Sequence, residues 1–239
     1  MFVVKKSSLV IISVVLLTVI TFFITFSAIS RVGIGEASST GIKVVLDAGH
    51  GGVDGGVSGV KTNVKESELN LKIVKKLEKF FKDAGVTVVL TRSSDAGLYG
   101  LATSNLKKKD MQKRKEIIEN ASPDLVISVH LNRFSSSNRR GAQVFYNKDS
   151  SSSKLLATNI QSSLNLLNKH TKEYSALAGD YYILKCSAYP SVIAECGFLS
   201  NPEDESLLIT DEYQDSVAYA IFRGAIDYLV DTTGHVFEK

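Results

Sequence analysis

Short β-branched runs alternate with amphipathic segments over most of this chain, and this alternation restricts its fold more than any other feature. Residues 43–46 form a first β-branched run, and the segment 68–83 then repeats apolar residues at helical spacing before Gly85. Further predicted strands lie at 86–90, 124–129, 142–146, 181–184 and 191–195, and further predicted helices at 107–120, 151–168 and 211–230. Strands separated by helices predict a single α/β domain, with a mostly parallel or mixed sheet flanked by helices on both faces.

An uncharged segment precedes this domain. Lys5 and Lys6 are followed by no charged residue from 7 to 30, and the run 9–26 is almost wholly apolar. Such a run is long enough to cross a bilayer core of about 30 Å, and the preceding lysines favour an orientation with the rest of the chain outside. Small residues at 27–30 leave a cleaved signal peptide open as an alternative. Both interpretations predict an exported protein, either membrane-anchored or secreted.

Composition sets the remaining boundaries. We expect the anchor or signal segment at 1–30, a small polar linker at 31–41, one compact domain at 42–230 and a polar tail at 231–239. The N-terminal lysines supply two of the three net positive charges, so the rest of the chain is almost neutral. A basic surface for nucleic acid is therefore not expected.

Two cysteines, Cys186 and Cys196, complete the compositional picture. They do not form a CxxC pair, so a thiolate zinc site is not predicted. Export would permit a disulfide. The alternative that we favour is two small buried residues on neighbouring strands.

Two of the four histidines lie where predicted strands end. The segment 47–52 (DAGHGG) directly follows the first strand, and His130 ends the third. Ligands of open α/β sheets bind beyond the carboxyl ends of strands, and two histidines at one rim are usual ligands of first-row metals. The Gly-rich segment lacks the GxGxxG and GK[ST] patterns of phosphate loops. His170 and His235 follow a helix end and lie in the polar tail, so neither is predicted to bind metal.

Carboxylates accompany these histidines. Glu66 precedes the first predicted helix, where the helix dipole alone would also favour it, and Glu195 lies in an apolar strand, where an unpaired carboxylate is costly. Together His50, Glu66 and His130 suggest a catalytic zinc site with one open position, at which a further carboxylate would transfer a proton. Asp47 either orients an imidazole N–H or caps the turn, and both interpretations stay open.

Taken together, these segments resemble the zinc-dependent N-acetylmuramoyl-L-alanine amidases of the amidase-3 family. The resemblance covers about 42–229. Its motifs, in order, are DAGHGG (47–52), KESELNL (65–71), LTR (90–92), Arg114, PDLVISVHLN (123–132), GAQVFY (141–146) and AECGFLSNPED (194–204). The chain departs from the family pattern at Ala48, where proline is usual. That change affects the stiffness of the turn and not the metal donors.

The resemblance implies both a fold and a reaction. It implies the amidase-3, phosphorylase/hydrolase-like α/β fold, zinc ligation by His50, Glu66 and His130, and Glu195 as the catalytic carboxylate. The implied reaction is hydrolysis of the amide between the lactyl group of N-acetylmuramic acid and L-alanine of the peptidoglycan stem peptide.

A finer resemblance is to the sporulation and germination amidases of this family, because a short N-terminal segment replaces a wall-binding repeat. It implies action on spore-cortex peptidoglycan, muramic δ-lactam formation and a functional link to a muramic acid deacetylase. It also implies that the domain faces the intermembrane space of a forming spore. Some family members carry an inserted helix that covers the zinc site. The short segment 147–150 predicts none here, so we expect any control to come from expression, location or a regulatory partner protein.

Three alternatives remain open at this level. Similar zinc ligands serve other exported peptidases and carboxypeptidases. The domain would alternatively be an anchored peptidoglycan-binding protein without turnover, although the presence of all four expected polar residues speaks against that. A Cys196 nucleophile is the third alternative, although no histidine is near it in sequence.

Overall fold

Six strands form one mixed sheet in the computed structural model, which describes residues 40–167, 173–234 and 237. The strands are β1 (Lys43–Ala48), β2 (Thr87–Leu90), β3 (Leu125–Asn132), β4 (Gln143–Tyr146), β5 (Leu177–Ala178) and β6 (Ser191–Phe198). Their order across the sheet is β2-β1-β3-β6-β4-β5. Strands β2, β1, β3 and β6 run parallel to one another. Strand β4 is antiparallel to β6, and β5 is parallel to β4. The predicted α/β domain with a mixed sheet is therefore confirmed.

Helices cover both faces of the sheet. They are α1 (Glu66–Asp83), α2 (Leu106–Ala121), α3 (Ser151–Asn165), α4 (Pro202–Leu208) and α5 (Asp211–Thr233). Buried side chains of α1, α3 and α5 form the larger core on one face, and α2 contributes to a smaller core on the other. The sequence pattern identified all of these helices except α4, because its seven residues are too short for a periodic signal.

Alternation along the strands explains the two cores. Val44 and Leu46 of β1 are buried in the larger core, and Val45 between them is buried in the smaller one. On α1, Ile73 and Leu77 lie one turn apart and are fully buried against the sheet. Each such side chain stabilises the fold by about 1.5–3 kcal/mol through removal from water.

The predicted strand at 181–184 is wrong, because Tyr182–Leu184 form a single turn of 3₁₀ helix. The place beside β4 at the sheet edge belongs instead to β5. The N–H of Leu184 donates to the carbonyl of Tyr181, and the turn buries Ile183 and Leu184 in the smaller core. A four-residue apolar run cannot distinguish these two ways of burying its side chains.

Both cysteines are free and buried. Cys196 lies on β6 as expected, but Cys186 follows the 3₁₀ turn and not a strand. The predicted placement on neighbouring strands is therefore wrong for Cys186.

The predicted anchor at 1–30 and most of the linker lie outside the described residues, as do His170 and His235. Within the described part of the chain, none of the helices combines the length and apolar character needed to span a bilayer.

Candidate metal centre

A tight turn directly after β1 carries the first histidine of the site. His50 has a φ of 62°, in the left-handed region that non-glycine residues seldom adopt, and Gly51 and Gly52 also have positive φ. Gly49 allows a close approach, because a Cβ there would lie 2.2 Å from the ring of His130. Gly49 is thus needed for the close approach of His130 to the turn that carries His50.

The structure brings together the three predicted metal ligands. One oxygen of Glu66, Oε1, lies 3.2 Å from Nε2 of His50 and 2.9 Å from Nδ1 of His130. One donor atom from each residue lies within 4.8 Å of the other two. Among the described residues, this is the one group of three or more histidine, cysteine, aspartate or glutamate donors that could hold a metal ion.

The carboxylate of Glu66 is fixed at the first turn of α1. The N–H of Leu131 donates to Oε1 at 3.1 Å, and the N–H of Val57 donates to Oε2 at 2.9 Å. Asn70, one helical turn later, donates Nδ2 to Oε1 and to the carbonyl of Gly49. Asn70 was not predicted from the sequence, although its i+4 position after Glu66 is the spacing that puts both side chains on one helix face.

The electrostatics favour a deprotonated carboxylate between two imidazoles. Burial alone would raise the pKa of Glu66, but hydrogen bonds and charges from His130 and His50 outweigh it and hold that pKa far below its usual range. Burial alone would lower the pKa of His50, but Glu66 and Asp54 outweigh it and raise that pKa. The Glu66 carboxylate is therefore ionised, and a cation between the two imidazoles would neutralise its charge.

Asp54 is a site residue that the sequence analysis missed. Its Oδ1 lies 3.0 Å from Nδ1 of His50, on the opposite side of the ring from Glu66. Burial alone would raise the pKa of Asp54, but the contact with His50 outweighs it and lowers that pKa. A carboxylate bonded to the far nitrogen of an imidazole orients the ring of a metal ligand. The i+4 carboxylate in HGGVD was the available signal.

Asp47, the residue predicted either to orient an imidazole or to cap the turn, contacts neither imidazole. Its carboxylate is buried and accepts hydrogen bonds from Thr91 Oγ1 at 2.6 Å, from Ser128 Oγ at 2.5 Å and from the Arg114 guanidinium. Asp47 therefore joins β1 to β3 and to α2, and it stabilises the strand that leads into the His50 turn.

Two buried arginines hold the backbone of the His50 turn. Arg92 donates to the carbonyls of Ala48 at 2.8 Å and Gly49 at 3.0 Å, and also to that of Ser67 in α1. Arg114 donates to the carbonyls of Ala48 at 2.9 Å and His50 at 2.7 Å. Arg92 thereby ties the turn to the start of α1, where Glu66 lies, and Arg114 ties it to α2, so both arginines position metal-site residues without touching a donor atom.

Glu195 lies beside the three donors but does not join them. It is opposite His130 in the register of the parallel strands β3 and β6, and its Oε2 is buried with no hydrogen-bond partner in the described residues. Burial raises the pKa of Glu195 to about 7. An unsatisfied buried carboxylate oxygen is costly unless a ligand completes its hydrogen bonds, so the position fits a group that faces substrate or solvent water.

These residues form the floor of one cavity of about 460 Å³. Its walls carry side chains from three parts of the fold: Lys107 and Met111 of α2, Asn132 and Arg133 after His130, and Tyr181, Tyr182 and Ile183 around the 3₁₀ turn. The cavity is large enough for part of a peptide or a sugar next to the donors. The segment 147–150 connects β4 to α3 as a short turn, in agreement with the expectation of no inserted helix there.

The donor set fits a zinc ion. Two imidazole nitrogens and one carboxylate oxygen are the ligands of catalytic zinc sites, which leave a further position open. The converging donors, the ionised Glu66 and the Asp54 contact behind His50 all agree with this chemistry.

Comparison with known families gives a match across the described domain. The family model described as N-acetylmuramoyl-L-alanine amidase matches residues 44–227. The germination-specific N-acetylmuramoyl-L-alanine amidase of Bacillus subtilis is 32% identical over 191 residues, which are 79% of this chain and 80% of that protein.

Solved structures agree with the sequence comparisons. The CwlD amidase of Clostridioides difficile, determined in complex with the GerS lipoprotein, has a TM-score of 0.77 and 38% identity, covering 80% of this chain and 99% of that one. The catalytic domain of CwlV, an N-acetylmuramoyl-L-alanine amidase from Bacillus (Paenibacillus) polymyxa, has a TM-score of 0.69 and 29% identity, covering 79% and 98%.

Proposed function

The chain belongs to the N-acetylmuramoyl-L-alanine amidase family, and from that membership we propose that it cleaves the bond between muramic acid and L-alanine with a zinc ion held by His50, Glu66 and His130. Amidase activity follows from the family. The observation that carries the metal assignment is the convergence of both imidazoles on one oxygen of Glu66, at 3.2 and 2.9 Å.

A bound zinc ion supplies Lewis-acid chemistry, which polarises a carbonyl and makes water a better nucleophile at neutral pH. Glu195 is the proposed proton carrier, since it lines the cavity opposite His130 and its Oε2 has no hydrogen-bond partner in the described residues. It accepts a proton from the attacking water and delivers a proton to the nitrogen of the leaving L-alanine. Asp54 and the two buried arginines keep His50 and Glu66 in place during this sequence.

The alternative of a cysteine nucleophile conflicts with the environment of Cys196. Its thiol is fully buried, and burial raises its pKa far above the usual range, so the thiolate is strongly disfavoured. A general zinc peptidase remains the chemical alternative, because zinc ligands alone do not select one amide.

Product analysis tests the proposed bond. Purified protein with zinc is incubated with a muramoyl-peptide, and the products are identified by mass spectrometry. The proposal requires a free lactyl carboxylate on muramic acid together with a new L-alanine N-terminus. Cleavage only between amino acids of the stem would instead identify a peptidase, and loss of activity on chelation with recovery on zinc addition tests the metal in the same sample.

Spore-cortex peptidoglycan is the substrate that we propose within this class. The support is similarity to a protein named as germination-specific in Bacillus subtilis and to CwlD of Clostridioides difficile. Deletion of the gene should then remove muramic δ-lactam from cortex digests, and it should leave vegetative peptidoglycan unchanged. An unchanged δ-lactam content would contradict the cortex role and leave the amidase assignment intact. A muramic acid deacetylase acting on the amidase product completes this proposal.

The proposed location is outside the cytoplasmic membrane, with the apolar run 9–26 as an anchor or signal segment and the catalytic domain at 42–230. When the protein is produced in vegetative cells, protease treatment of intact protoplasts should digest the domain, whereas a cytoplasmic marker should survive. Protection of both the domain and the marker in these protoplasts would contradict export.

Control by a partner protein is proposed because the CwlD relative was determined with a lipoprotein bound. The exposed cavity and the short 147–150 turn support basal activity of the purified domain with zinc alone. Strict dependence of turnover on a second protein would contradict that basal activity.

A further inference from the structure

Arg133, a cation in the wall of the catalytic cavity, has no acidic partner among the residues that the structure describes. Arg133 directly follows β3, is exposed and lines the cavity next to Asn132. Its one side-chain hydrogen bond in the described part of the chain is a long one, from Nη1 to the carbonyl of Ser58 at 3.4 Å. That contact places the guanidinium beside the residue that follows Val57, whose N–H donates to Oε2 of Glu66.

The remaining described arginines are all engaged with the protein itself. Their partners are backbone carbonyls for Arg92, carboxylates for Arg114, Arg140 and Arg223, and aromatic rings for Arg139. Lys107, a further cation in the cavity wall, acts electrostatically on Asp54 but forms no ion pair within the described residues. Arg133 therefore differs from the other described arginines in having its guanidinium available to a ligand.

The backbone of Arg133 is fixed on both sides. Its own N–H donates to Oδ1 of Asn132 at 2.7 Å, and the next N–H, that of Phe134, donates to Oγ of Ser200 at 3.0 Å. A guanidinium on a fixed backbone can bind a carboxylate through two parallel hydrogen bonds, and less ordering is then required on binding.

We propose that Arg133 is a specificity-determining residue that binds a free carboxylate of the stem peptide while the scissile amide lies over His50, Glu66 and His130. This inference rests on the proposed amidase function. The carboxylate has two possible sources: the free α-carboxylate of the glutamyl residue that follows L-alanine, and the C-terminal carboxylate of the stem. Both offer the same planar pair of oxygens.

The test compares three muramoyl-peptides: one with both carboxylates free, one amidated at the glutamyl carboxylate and one amidated at the C-terminus. On the free peptide, Arg133→Ala should raise KM about tenfold or more and keep kcat within about twofold, because a uniform binding contact is lost. The effect should shrink to about twofold on the one peptide whose amidation removes the bound carboxylate, which identifies the source. Arg133→Lys should fall between wild type and Arg133→Ala.

Arg223→Ala is the matched control, because Arg223 lies on α5 and outside the cavity, and it should keep wild-type kinetics on all three peptides. An equal loss for Arg133→Ala on all three peptides, or no loss on any, would overturn the role of Arg133 and leave the amidase function standing. Wild-type protein that cleaves none of the peptides would overturn both proposals. Unchanged thermal unfolding midpoints exclude misfolding as the cause of a loss.

Discussion

His130 and Glu195 lie directly opposite each other on the adjacent parallel strands β3 and β6. His130 is a proposed metal ligand and Glu195 is the proposed proton carrier, so the hydrogen bonding between β3 and β6 fixes the distance between their backbones. Side chains alternate along each strand, so both residues point to the same face of the sheet, together with Asp47 of β1. The register of β3 and β6 therefore places the proposed proton carrier, Glu195, beside the proposed metal ligand, His130.

Glu195→Ala separates these two roles. We expect turnover to fall by about 10²–10⁴-fold, because the proton carrier is lost. Metal content should remain near one ion per chain, since Glu195 is not among the three converging donors. Kinetics and metal analysis on the same preparation check both parts, and normal turnover would remove Glu195 from the mechanism.

His50→Ala removes one donor of the cluster. We expect zinc content and turnover to fall together, because two remaining donors hold the ion less tightly. Val53→Ala is a matched control in the same turn: Val53 is 73% exposed and is not one of the donors, so its zinc content should equal that of wild type. Full zinc occupancy in His50→Ala would refute its role as a ligand.

Asp54→Ala tests the carboxylate behind His50. Loss of the 3.0 Å contact to Nδ1 should free the ring to rotate and should weaken zinc binding about 10–100-fold, with the three donors still present. Competition with a chromophoric chelator measures this affinity. An unchanged affinity for zinc in Asp54→Ala would refute the role of Asp54 in orienting His50.

Arg114→Ala should destabilise the protein by about 3–5 kcal/mol in the free energy of unfolding, because it leaves the buried carboxylate of Asp47 without its cation. The double variant Asp47→Asn/Arg114→Met should lose less than the sum of the losses in Asp47→Asn and Arg114→Met, since it removes the unpaired charge of Asp47, whereas Asp110 loses its contact with Arg114 in the single and the double variant alike. Urea denaturation measures each variant. Additive losses would mean that the two side chains stabilise the fold independently.

Acid should destabilise the fold through Asp47. Burial alone would raise the pKa of Asp47, but Arg114, Ser128 and Thr91 outweigh it and hold that pKa below the ordinary value of 3.8. Ionised Asp47 therefore stabilises the folded state above about pH 4, and this contribution is lost as the pH falls from there through the lower folded-state pKa. Denaturation between pH 2 and 6 should show a shallower acid loss in Asp47→Asn, and an unchanged slope would assign the acid sensitivity to other groups.

Local pattern predicted most of the fold, and together with the family resemblance it predicted the donors. The alternation of β-branched and amphipathic segments predicted the mixed α/β sheet, and histidines at two strand ends with a glutamate at a helix start predicted the cluster that the structure brings together. The error at 181–184 has a physical cause. A short apolar run is compatible with a strand or a turn, and here the 3₁₀ turn places Ile183 and Leu184 in the same core while β5 occupies the sheet edge beside β4.

The sequence by itself determined which chemical groups are present and which element carries each of them, because hydrophobic periodicity and strand-end placement are local properties. The tertiary structure decided which groups touch. Asp54 and not Asp47 contacts His50, Asp47 pairs with Arg114 across 67 positions of the chain, and Arg133 keeps a free charge beside the cluster. Such contacts depend on how β1, β3 and α2 pack in space, and no local pattern encodes that packing.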